Sequence, residues 1–443
     1  MNMEFKTINC NVHGVVQVSP MALKIIDTPE FQRMRNISQT GLCHYVYPAA
    51  THTRFEHSIG VYHLTGKMTE RIRQLYPEKK FFIHEFGREK KLTKKLEECI
   101  KIAGLCHDIG HGPFSHIFDN ILLNDSTHPN KEHEVRSCLI VEMLCRRELR
   151  ELDQKYINFI KSIIKPQPYH IGALYQIVSN NLNGIDVDKF DYIMRDSKNL
   201  GILIGFDPYR LINEFIIDAN NNIAYPEHCS INIYEMFYGR YILHKKCYCH
   251  KTVKLLEFML KDFFAKIDPV FKISESINDM SLFCKLTDDV IFHYVNTIIS
   301  PPSFLKINVD SDQYKKIIEA YNIYERIITR KLYQEIAIVN GRKAEYFKEF
   351  VGYLLDKYSE LSAEDFDMAE IRVGFVKENV GDPFMSIFFY GKRGKETFTM
   401  DRTQISNLMG GTMEDVQTIF ICKRRDYYDR IISELERYEK KCF

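Results

Sequence analysis

Two adjacent residues of metal-ligand type, His107 and Asp108, stand at the end of an apolar helical run in the segment AGLCHDIGHGPFSH. Burying an imidazole and a carboxylate there is costly unless each has a partner. Imidazole nitrogen and carboxylate oxygen together suit Zn, Mn, Fe or a similar divalent ion. One such pair does not complete a coordination shell, so a metal site needs further ligands from elsewhere in the chain.

Two further residues supply ligands of the same kind. His57 precedes the apolar face of a helix in THTRFEHSIG, and Asp188 lies on a helix in NGIDVDKFDYIMRD. Alone, His57 would be interpreted as a hydrogen-bonded core histidine and Asp188 as a surface carboxylate. Together the four residues give the order H…HD…D, which resembles the signature of the HD phosphohydrolase superfamily. We therefore expect a metal site.

More titratable residues follow the H-D pair. His111 lies one helical turn later, and His116 comes after a Gly-Pro turn. A histidine held by a carboxylate suits general acid catalysis, because the carboxylate fixes its tautomer and favours the imidazolium. The adjacent His133 and Glu134 fit that description. The same two residues fit equally well a solvated patch in the charged stretch 129–136.

Two helical stripes carry polar side chains. Asp188, Tyr192 and Asp196 recur every four residues and place two carboxylates and a phenol on one helix face. Residues 233–266 are predicted as one continuous helix. On it, a second stripe consists of Arg240, His244, Tyr248 and Lys251. A basic stripe with a tyrosine suits a polyphosphate with a sugar or base stacked nearby, but the residues alone favour a solvated helix face.

Helical periodicity dominates up to about residue 300, and short β-rich runs cluster near the end. Ser19 and Thr28, each followed by a proline, are predicted helix N-caps. The predicted strands are residues 370–376, 384–390, 396–400 and 418–422, followed by a closing helix at 427–441. We therefore predict a mainly α fold with a helical HD body, residues 1–340, and a small C-terminal α+β lobe, residues 341–443.

The composition is that of an ordinary globular protein, since 45% of the 443 residues are hydrophobic and 27% are charged. Lysine and arginine number 60 against 59 aspartates and glutamates, which argues against a general nucleic-acid coat protein. The sequence shows no signal-peptide pattern and no apolar run long enough to span a membrane. The twelve cysteines form no C-x-x-C pair. We expect an intracellular protein, cytoplasmic or nuclear, with reduced thiols.

Several longer stretches resemble the dNTP triphosphohydrolases that carry an HD domain after a sterile-alpha-motif (SAM) domain. They include IIDTPEFQRMR, TRFEHSIGV, AGLCHDIGHGPFSH and IVSNNLNGIDVDKFDY. The resemblance extends from about residue 6 to the end of the chain, and we expect no SAM domain before it. It implies cleavage of a dNTP to a deoxynucleoside and inorganic tripolyphosphate, by a homotetramer that binds nucleotides between its subunits.

The resemblance also implies roles for individual residues. The metal ligands would be His57, His107, Asp108 and Asp188, and the catalytic group would be His111, His133 and Glu134, with His133 as the acid. The substrate-binding residues would be Gln39, Arg54, His116, Lys189, Tyr192, Asp196, Arg240 and Tyr248. Among them, Asp196 and Gln39 would contact the 3′-hydroxyl, and Tyr248 would leave no room for a 2′-hydroxyl. The implied cofactors are a divalent transition metal (Fe, Mn or Zn) and Mg²⁺ on the nucleotide phosphates.

The resemblance implies one effector site fully and a second only in part. Residues that match the family's guanine-nucleotide site are Lys6, Asp27, Gln32 and Arg35, so GTP or dGTP is the expected activator. Residues that match part of a neighbouring dNTP site are Asn9, Arg210, His250 and Lys251. Segment 222–230 offers Tyr225, Pro226 and His228 where the family has basic residues, which leaves the second effector site open.

Two other functions stay open on the sequence. An HD hydrolase of another nucleotide, such as a nucleoside monophosphate or a signalling nucleotide, would need fewer triphosphate contacts. A single-stranded nucleic-acid binding protein with a vestigial HD site would use the basic runs 88–95 and 423–425. The complete ligand set argues against a vestigial site, although weak binding of single-stranded nucleic acid is compatible with an enzyme. No membrane partner is expected.

Overall fold

The computed structural model describes residues 5–124, 126–300, 310–340, 344–375, 382–392, 394, 396–405 and 414–442. The chain divides into two compact units whose segments alternate along the sequence. The first unit comprises Met1–Leu243, Ser274–Ile291 and Phe375–Gly411. The second comprises His244–Ile273, Phe292–Gly374 and Thr412–Phe443. Neither unit is one continuous stretch, and the division into domains 1–340 and 341–443 stays a prediction.

Helices make up most of the described chain, which confirms the predicted mainly α fold with a small α+β part. The helices are α1 (Pro20–Ile26), α2 (Pro29–Gln32), α3 (Arg54–Leu75), α4 (Lys94–Cys106), α5 (His133–Glu148), α6 (Gln154–Ile164), α7 (Val187–Leu200), α8 (Pro208–Glu214), α9 (Ser230–Leu243), α10 (Lys251–Phe271), α11 (Met280–Phe283), α12 (Asp288–Ile299), α13 (Ser311–Ile328), α14 (Ala344–Lys357), α15 (Arg402–Ile405) and α16 (Tyr428–Cys442). The strands are β1 (Lys6–Cys10), β2 (Gly14–Val18), β3 (Lys80–Ile83), β4 (Arg88–Lys91), β5 (Ile216–Ile217), β6 (Ile223–Pro226), β7 (Gln334–Asn340), β8 (Phe366–Gly374), β9 (Phe388–Tyr390), β10 (Thr397–Phe398) and β11 (Glu414–Cys422). Among the described helices, none combines the length and the apolar character needed to cross a membrane.

The first helices begin where the sequence predicts. Ser19 Oγ accepts a hydrogen bond from Ala22 N (3.1 Å), and Thr28 Oγ1 accepts one from Phe31 N (3.3 Å), so both predicted N-caps are confirmed. Helix α2 lasts only one turn, because the chain then tightens into a 3₁₀ turn at Arg33–Asn36.

The predicted continuous helix over residues 233–266 is wrong. Helix α9 ends before a π-helical turn at His244–Tyr248, and α10 begins only at Lys251. His250 has φ −60° and ψ 134°, and its Nδ1 accepts a hydrogen bond from Thr252 N (3.2 Å). It therefore caps α10 instead of continuing α9. The even spacing of the second polar stripe, which assumed one straight helix, is interrupted at this point.

Two N-terminal β hairpins were not predicted. Strands β1 and β2 pair from Lys6↔Val18 to Cys10↔Gly14, and Gly14 adopts φ +71° after the turn, a conformation that favours glycine. Strands β3 and β4 also pair antiparallel. Each strand has only four or five residues, and several of these are exposed and charged. Such short runs give little apolar alternation for a strand prediction to use.

Each unit contains one larger sheet. In the first unit the strand order is β10-β9-β6-β5, with β6 and β9 parallel. The predicted strand 384–390 is correct only in its second half, since Pro383–Ser386 forms a 3₁₀ turn. In the second unit β11 pairs antiparallel with β7 and β8, as the runs 370–376 and 418–422 predict, although Val376 lies outside the described residues. Phe350 and Phe420 are part of the core of this unit.

Helix α3 is central to the site because it packs against both α4 and α7. A glycine permits this contact. A Cβ built on Gly60 would lie 1.8 Å from Asp191 Oδ1 and 2.5 Å from an Arg195 guanidinium nitrogen, so the α7 side chains occupy the space that any other residue would need. The N-terminal turns of α3 and α7 can therefore approach closely.

We expect Gly60→Ala to destabilise the protein by about 1–3 kcal/mol or more, because overpacking forces buried groups apart. The matched control is Gly66→Ala on the same helix, where the added Cβ meets only the Lys101 side chain at 3.5 Å. The control should be neutral or gain about 0.5–1 kcal/mol, since alanine favours helix more than glycine does. Chemical denaturation of both variants measures the difference. Equal stability of the two variants would contradict the expectation.

Candidate active site

The residues of the H…HD…D pattern lie together where three helices meet. His57 is on the first turn of α3, His107 and Asp108 directly follow α4, and Asp188 is the second residue of α7. The His57 side chain is fully buried, whereas 33% of the Asp188 side chain is exposed. The cluster is therefore closed on the α3 side and open on the α7 side.

The ligand-type atoms of these residues converge. His57 Nε2 lies 3.2 Å from His107 Nε2 and 3.1 Å from Asp188 Oδ1. Asp108 lies 3.3 Å from His107 Nε2 through Oδ1 and 3.4 Å from His57 Nε2 through Oδ2. Donors bound about 2.0–2.1 Å from one ion at octahedral or tetrahedral angles lie about 2.8–3.4 Å apart. The observed spacings therefore match the edges of a single coordination shell.

The Nδ1 atoms of His57 and His107 show which kind of ligand the cluster can bind. His57 Nδ1 donates to Asp191 Oδ2 (2.8 Å), and His107 Nδ1 donates to the Gly104 carbonyl (2.8 Å). Both Nε2 atoms then direct their lone pairs toward each other and toward two carboxylates. This arrangement is repulsive unless positive charge, from a metal ion or a shared proton, lies among the four groups. The donors are the imidazole and carboxylate groups that divalent transition metals bind, so the residues fit such an ion.

The electrostatics of the cluster lead to the same conclusion. Burial lowers the pKa of His57, but Asp188 and Asp191 outweigh this effect and raise the pKa to about 10. Burial raises the pKa of Asp108, but the Arg54 guanidinium and the neighbouring imidazoles hold it well below its usual range. The carboxylates thus stay ionised at neutral pH and attract a cation.

Three imidazoles lie next to this cluster. His111 and His133 stack with ring centroids 3.8 Å apart, and His116 is edge-on to them at 5.0 and 5.6 Å. His111 is buried, and neither of its ring nitrogens forms a hydrogen bond with a residue that the structure describes. Burial, then Arg54 and His133, hold the pKa of His111 well below its usual range. His111 is therefore neutral at pH 7 and suited to contact a ligand oxygen.

His133 is held by a carboxylate that the sequence motifs do not reveal. Its Nδ1 donates to Asp119 Oδ2 (2.8 Å), whereas Glu134, the predicted support, lies 3.4 Å from Nε2. Asp119 also accepts a hydrogen bond from the buried Arg136 guanidinium. Burial raises the pKa of Asp119, but His133 and Arg136 outweigh this effect and lower it. Asp119 is thus an ionised partner that holds the His133 ring through Nδ1.

Arg54 is held in place beside the H…HD…D cluster. Its NH1 donates to Asp108 Oδ2 (2.5 Å), and its Nε donates to Ser115 Oγ (2.9 Å). Phe114 and Ser115 have φ of 59° and 58°, a left-handed conformation that is costly for residues other than glycine. The carboxylate of Asp288 accepts a hydrogen bond from Phe114 N (2.6 Å) and helps to fix this loop. The strained loop therefore positions the Ser115 hydroxyl to accept the hydrogen bond from Arg54 Nε.

His52 joins the two residues predicted to contact the sugar. Its Nε2 bonds to Asp196 Oδ1 (2.7 Å), and its carbonyl accepts from Gln39 N (3.1 Å). The buried atoms Gln39 Oε1 and His52 Nδ1 form no hydrogen bond with any residue in the described ranges. These two atoms are thus available to a polar ligand. The sequence signal for His52 is its position two residues before Arg54, at the start of the TRFEHSIGV motif.

The exposed side of Asp188 carries further predicted substrate residues. The Nζ of Lys189 donates to Asp186 (3.0 Å). Burial raises the pKa of Tyr192 to about 12, and Arg240 and Lys189 act on it in the opposite direction, so these charges lie near the phenol. Lys189, Tyr192 and Arg240 are therefore brought together, and Tyr248 lies in the second unit, on the π-helical turn.

The predicted guanine-nucleotide residues lie on several elements. Lys6 is on β1 and Asp27 directly follows α1. Gln32 Oε1 accepts a hydrogen bond from Arg35 Nε (2.8 Å), and Gln32 Nε2 donates to the Ile26 carbonyl (2.8 Å). Gln32 and Arg35 are thus linked and held next to Asp27, whereas nothing in the described contacts ties Lys6 to them.

The predicted dNTP-effector residues are spread over both units. Asn9 is on β1, and Arg210 on α8 lies 3.3 Å from Glu214. His228 Nε2 lies 2.5 Å from the same carboxylate, and Cys229 completes a group of possible metal ligands. Because Arg210 also hydrogen-bonds to Cys229, we interpret this group as an ion-pair network and not as a metal site. In the second unit lie His250, which caps α10, and Lys251, which is 3.5 Å from Glu335.

Comparison with known proteins agrees with this geometry. Residues 54–195, which contain all four residues of the H…HD…D pattern, match the HD domain family. An HD domain-containing protein of Acanthamoeba polyphaga mimivirus, L394, is 54% identical over 99% of this chain and 95% of its own length. The Homo sapiens deoxynucleoside triphosphate triphosphohydrolase SAMHD1 is 32% identical, with 95% of this chain and 71% of that protein covered. The SAMHD1 homolog of Dictyostelium discoideum is 31% identical, with 96% and 79% covered. As the resemblance predicted, the chain belongs to the SAMHD1 family of HD-domain proteins.

Proposed function

We propose that this protein is a metal-dependent dNTP triphosphohydrolase, which converts a dNTP and water to a deoxynucleoside and inorganic tripolyphosphate. The observation that carries the proposal is the contact between the four-ligand cluster and a group of three imidazoles, of which His111 lies 3.4 Å from Asp108 and His133 is held by Asp119. The substrate class comes from the relatives, which are named deoxynucleoside triphosphate triphosphohydrolases.

The metal site would be formed by His57, His107, Asp108 and Asp188. A divalent ion bound there supplies Lewis acidity to a phosphate oxygen and lowers the pKa of water. Fe, Mn or Zn suits these donors, and we infer that Mg²⁺ accompanies the nucleotide phosphates.

His111 and Arg54 would contact the α-phosphate beside these ligands. His111 is neutral and forms no hydrogen bond with a described residue, so it can donate one to a phosphate oxygen without leaving a buried charge when the product departs. Arg54 already lies against Asp108 and offers positive charge where the α-phosphate would bind.

His133 would act as the general acid. The bond between the α-phosphorus and the 5′-oxygen breaks, the oxygen of water ends on that phosphorus, and the 5′-oxygen needs a proton. Asp119 fixes the His133 ring through Nδ1, which leaves Nε2 to carry the proton for the 5′-oxygen. Glu134, 3.4 Å from Nε2, is placed to return a proton after each turnover.

The remaining substrate contacts are those that the family resemblance implies. His116, Lys189, Tyr192 and Arg240 would bind the triphosphate, and Tyr248 would exclude a 2′-hydroxyl. Gln39 and Asp196 would contact the 3′-hydroxyl, which the buried atoms Gln39 Oε1 and His52 Nδ1 could also bind. We further propose a homotetramer, with GTP or dGTP at Lys6, Asp27, Gln32 and Arg35 and a dNTP at Asn9, Arg210, His250 and Lys251.

Product analysis tests the reaction directly. Metal-loaded protein is incubated with each dNTP and Mg²⁺ or Mn²⁺, with and without GTP, and the products are separated by ion exchange. Tripolyphosphate and deoxynucleoside in equal amounts are expected. Inorganic phosphate or pyrophosphate as the product would overturn the proposed bond cleavage. Hydrolysis of a nucleoside monophosphate or signalling nucleotide but of no dNTP would favour the other HD hydrolase.

Asp27→Ala tests the effector proposal. Asp27 is exposed, so the fold should be retained, while a guanine base would lose its carboxylate acceptor. We expect the stimulation of dNTP turnover by GTP to fall at least tenfold, with metal content unchanged. The measurement is turnover against GTP concentration, with Glu30→Gln, a nearby loss of one carboxylate charge, as the matched control. A wild-type GTP response in Asp27→Ala would contradict the guanine site.

A further inference from the structure

The β1–β2 hairpin reaches a metal ligand through one buried histidine. His13, in the turn of this hairpin, has its Nε2 2.6 Å from Oδ1 of Asp191 on α7. The other oxygen, Oδ2, accepts a hydrogen bond from His57 Nδ1 (2.8 Å). The side chains of all three residues have 0% exposure. A continuous hydrogen-bonded connection therefore runs from the hairpin turn to the metal cluster.

Every proton in this connection has one position. His57 donates from Nδ1, because its Nε2 faces the other ligands. The carboxylate of Asp191 accepts two further hydrogen bonds from Arg195, through Nε (2.8 Å) and NH2 (2.9 Å). His13 must then donate to Asp191 from Nε2, and its Nδ1 accepts from the Tyr209 hydroxyl (2.9 Å). No alternative tautomer of His13 satisfies both neighbours.

The hairpin turn is fastened to the helix that carries Asp188. Arg195 NH1 donates to Asn11 Oδ1 (3.2 Å), and Lys198 Nζ donates to the Asn11 carbonyl. Both basic residues lie on the same face of α7 as Asp191, at intervals of four and three residues. The turn is therefore held against α7 by these two side chains, which fixes His13 beside Asp191.

We propose that His13 is a positioning residue for the metal centre, acting through Asp191 on His57. Groups that orient a ligating histidine typically change metal affinity by about 10–100-fold when they are removed. The inference rests on the metal role proposed for His57, and not on the identity of the substrate. It also makes the hairpin that carries Lys6 and Asn9, two predicted effector residues, a structural part of the metal centre.

A pair of amide variants tests the proposal with little change in polarity. In His13→Gln the side-chain nitrogen takes the place of Nε2 and can still donate to Asp191. In His13→Asn the nitrogen takes the place of Nδ1, next to Tyr209, and cannot reach Asp191. Both variants keep a neutral, hydrogen-bonding side chain. The matched control is His170→Asn, which removes a histidine–carboxylate contact with Glu85 (3.0 Å) elsewhere in the same unit.

Metal affinity is measured in the absence of nucleotide, by competition with a chelator for Mn²⁺, and the ligand field is followed in the visible spectrum of the Co²⁺-loaded protein. We expect His13→Asn to bind Mn²⁺ at least tenfold more weakly with an altered Co²⁺ spectrum. His13→Gln should stay within about threefold of wild type. Wild-type affinity and spectrum in His13→Asn, or equal losses in both amide variants, would overturn the proposal.

The same measurements separate this inference from the proposed reaction. If wild-type protein binds Mn²⁺ but hydrolyses no dNTP, the proposed function fails while the difference between the Asn and Gln variants still supports His13. If wild-type protein hydrolyses dNTP and His13→Asn binds Mn²⁺ normally, the positioning role fails alone. Wild-type protein without measurable Mn²⁺ or Co²⁺ affinity would overturn the inference.

Discussion

Asp188→Asn is expected to remove the metal ion and to lower dNTP hydrolysis by about a thousandfold or more. The amide has nearly the shape of the carboxylate but lacks the charge that two imidazole Nε2 atoms and a cation share. A bound metal typically contributes several kcal/mol to the transition state, and each 1.36 kcal/mol is about a factor of ten in rate. Elemental analysis of the purified variant and tripolyphosphate release are the two measurements.

The matched control for this prediction is Asp153→Asn. Asp153 is exposed at the N-cap of α6, where asparagine caps about as well as aspartate, so metal content and rate should match wild type. A variant at Asp188 that retains one equivalent of metal and more than a tenth of the wild-type rate would contradict the ligand assignment. Loss of activity with full metal occupancy would instead place Asp188 on the substrate.

Asp119→Asn is expected to lower kcat by about 10²–10⁴-fold with little change in KM, the range that general acid–base catalysis spans. The amide still accepts a hydrogen bond from His133 Nδ1 but carries no negative charge to balance a positive general acid. The alkaline limb of the pH–rate profile should therefore move to lower pH. In wild type the pKa of Asp119 is lowered, so its carboxylate remains ionised across the neutral range.

Glu134→Gln is the matched comparison for Asp119→Asn, because both variants neutralise a carboxylate near His133. We expect less than a tenfold loss from Glu134→Gln, since its Oε1 lies 3.4 Å from Nε2 while the Asp119 contact is 2.8 Å. A larger loss from Glu134→Gln, or an unchanged pH profile in Asp119→Asn, would show that Glu134 is the support. Asp119 also accepts a hydrogen bond from Arg136, so thermal unfolding of Asp119→Asn checks that the fold is retained. Arg136 keeps its hydrogen bond to the Gly110 carbonyl in this variant.

The four proposed metal ligands could be brought together from the sequence because residue type and order alone single them out. Their supporting residues could not. Asp191 belongs to the same motif as Asp188, but its partner His13 is 178 positions away, and no pattern in the chain joins the two. Asp119 was missed for a similar reason, since it lies on a π-helical turn outside the regular helices whose periodicity can be recognised.

The fold was predictable where local chemistry determines it. The caps at Ser19 and Thr28 depend on neighbouring residues only, and both occur where expected. The break between α9 and α10 contains no glycine or proline, and at its end the His250 side chain accepts a hydrogen bond from Thr252 N. A periodicity argument has no means of detecting such a break, because apolar residues continue on both sides of it.

The alternation of the two compact units along the chain has a consequence for folding during synthesis. Strand β6, at residues 223–226, pairs with β9, at residues 388–390, so the sheet of the first unit stays incomplete until nearly nine-tenths of the chain has been translated. At about 5–20 residues per second the ribosome needs roughly 10–30 s to cover that interval. A nascent chain that already contains every proposed metal ligand would therefore keep one edge of β6 unpaired until β9 emerges.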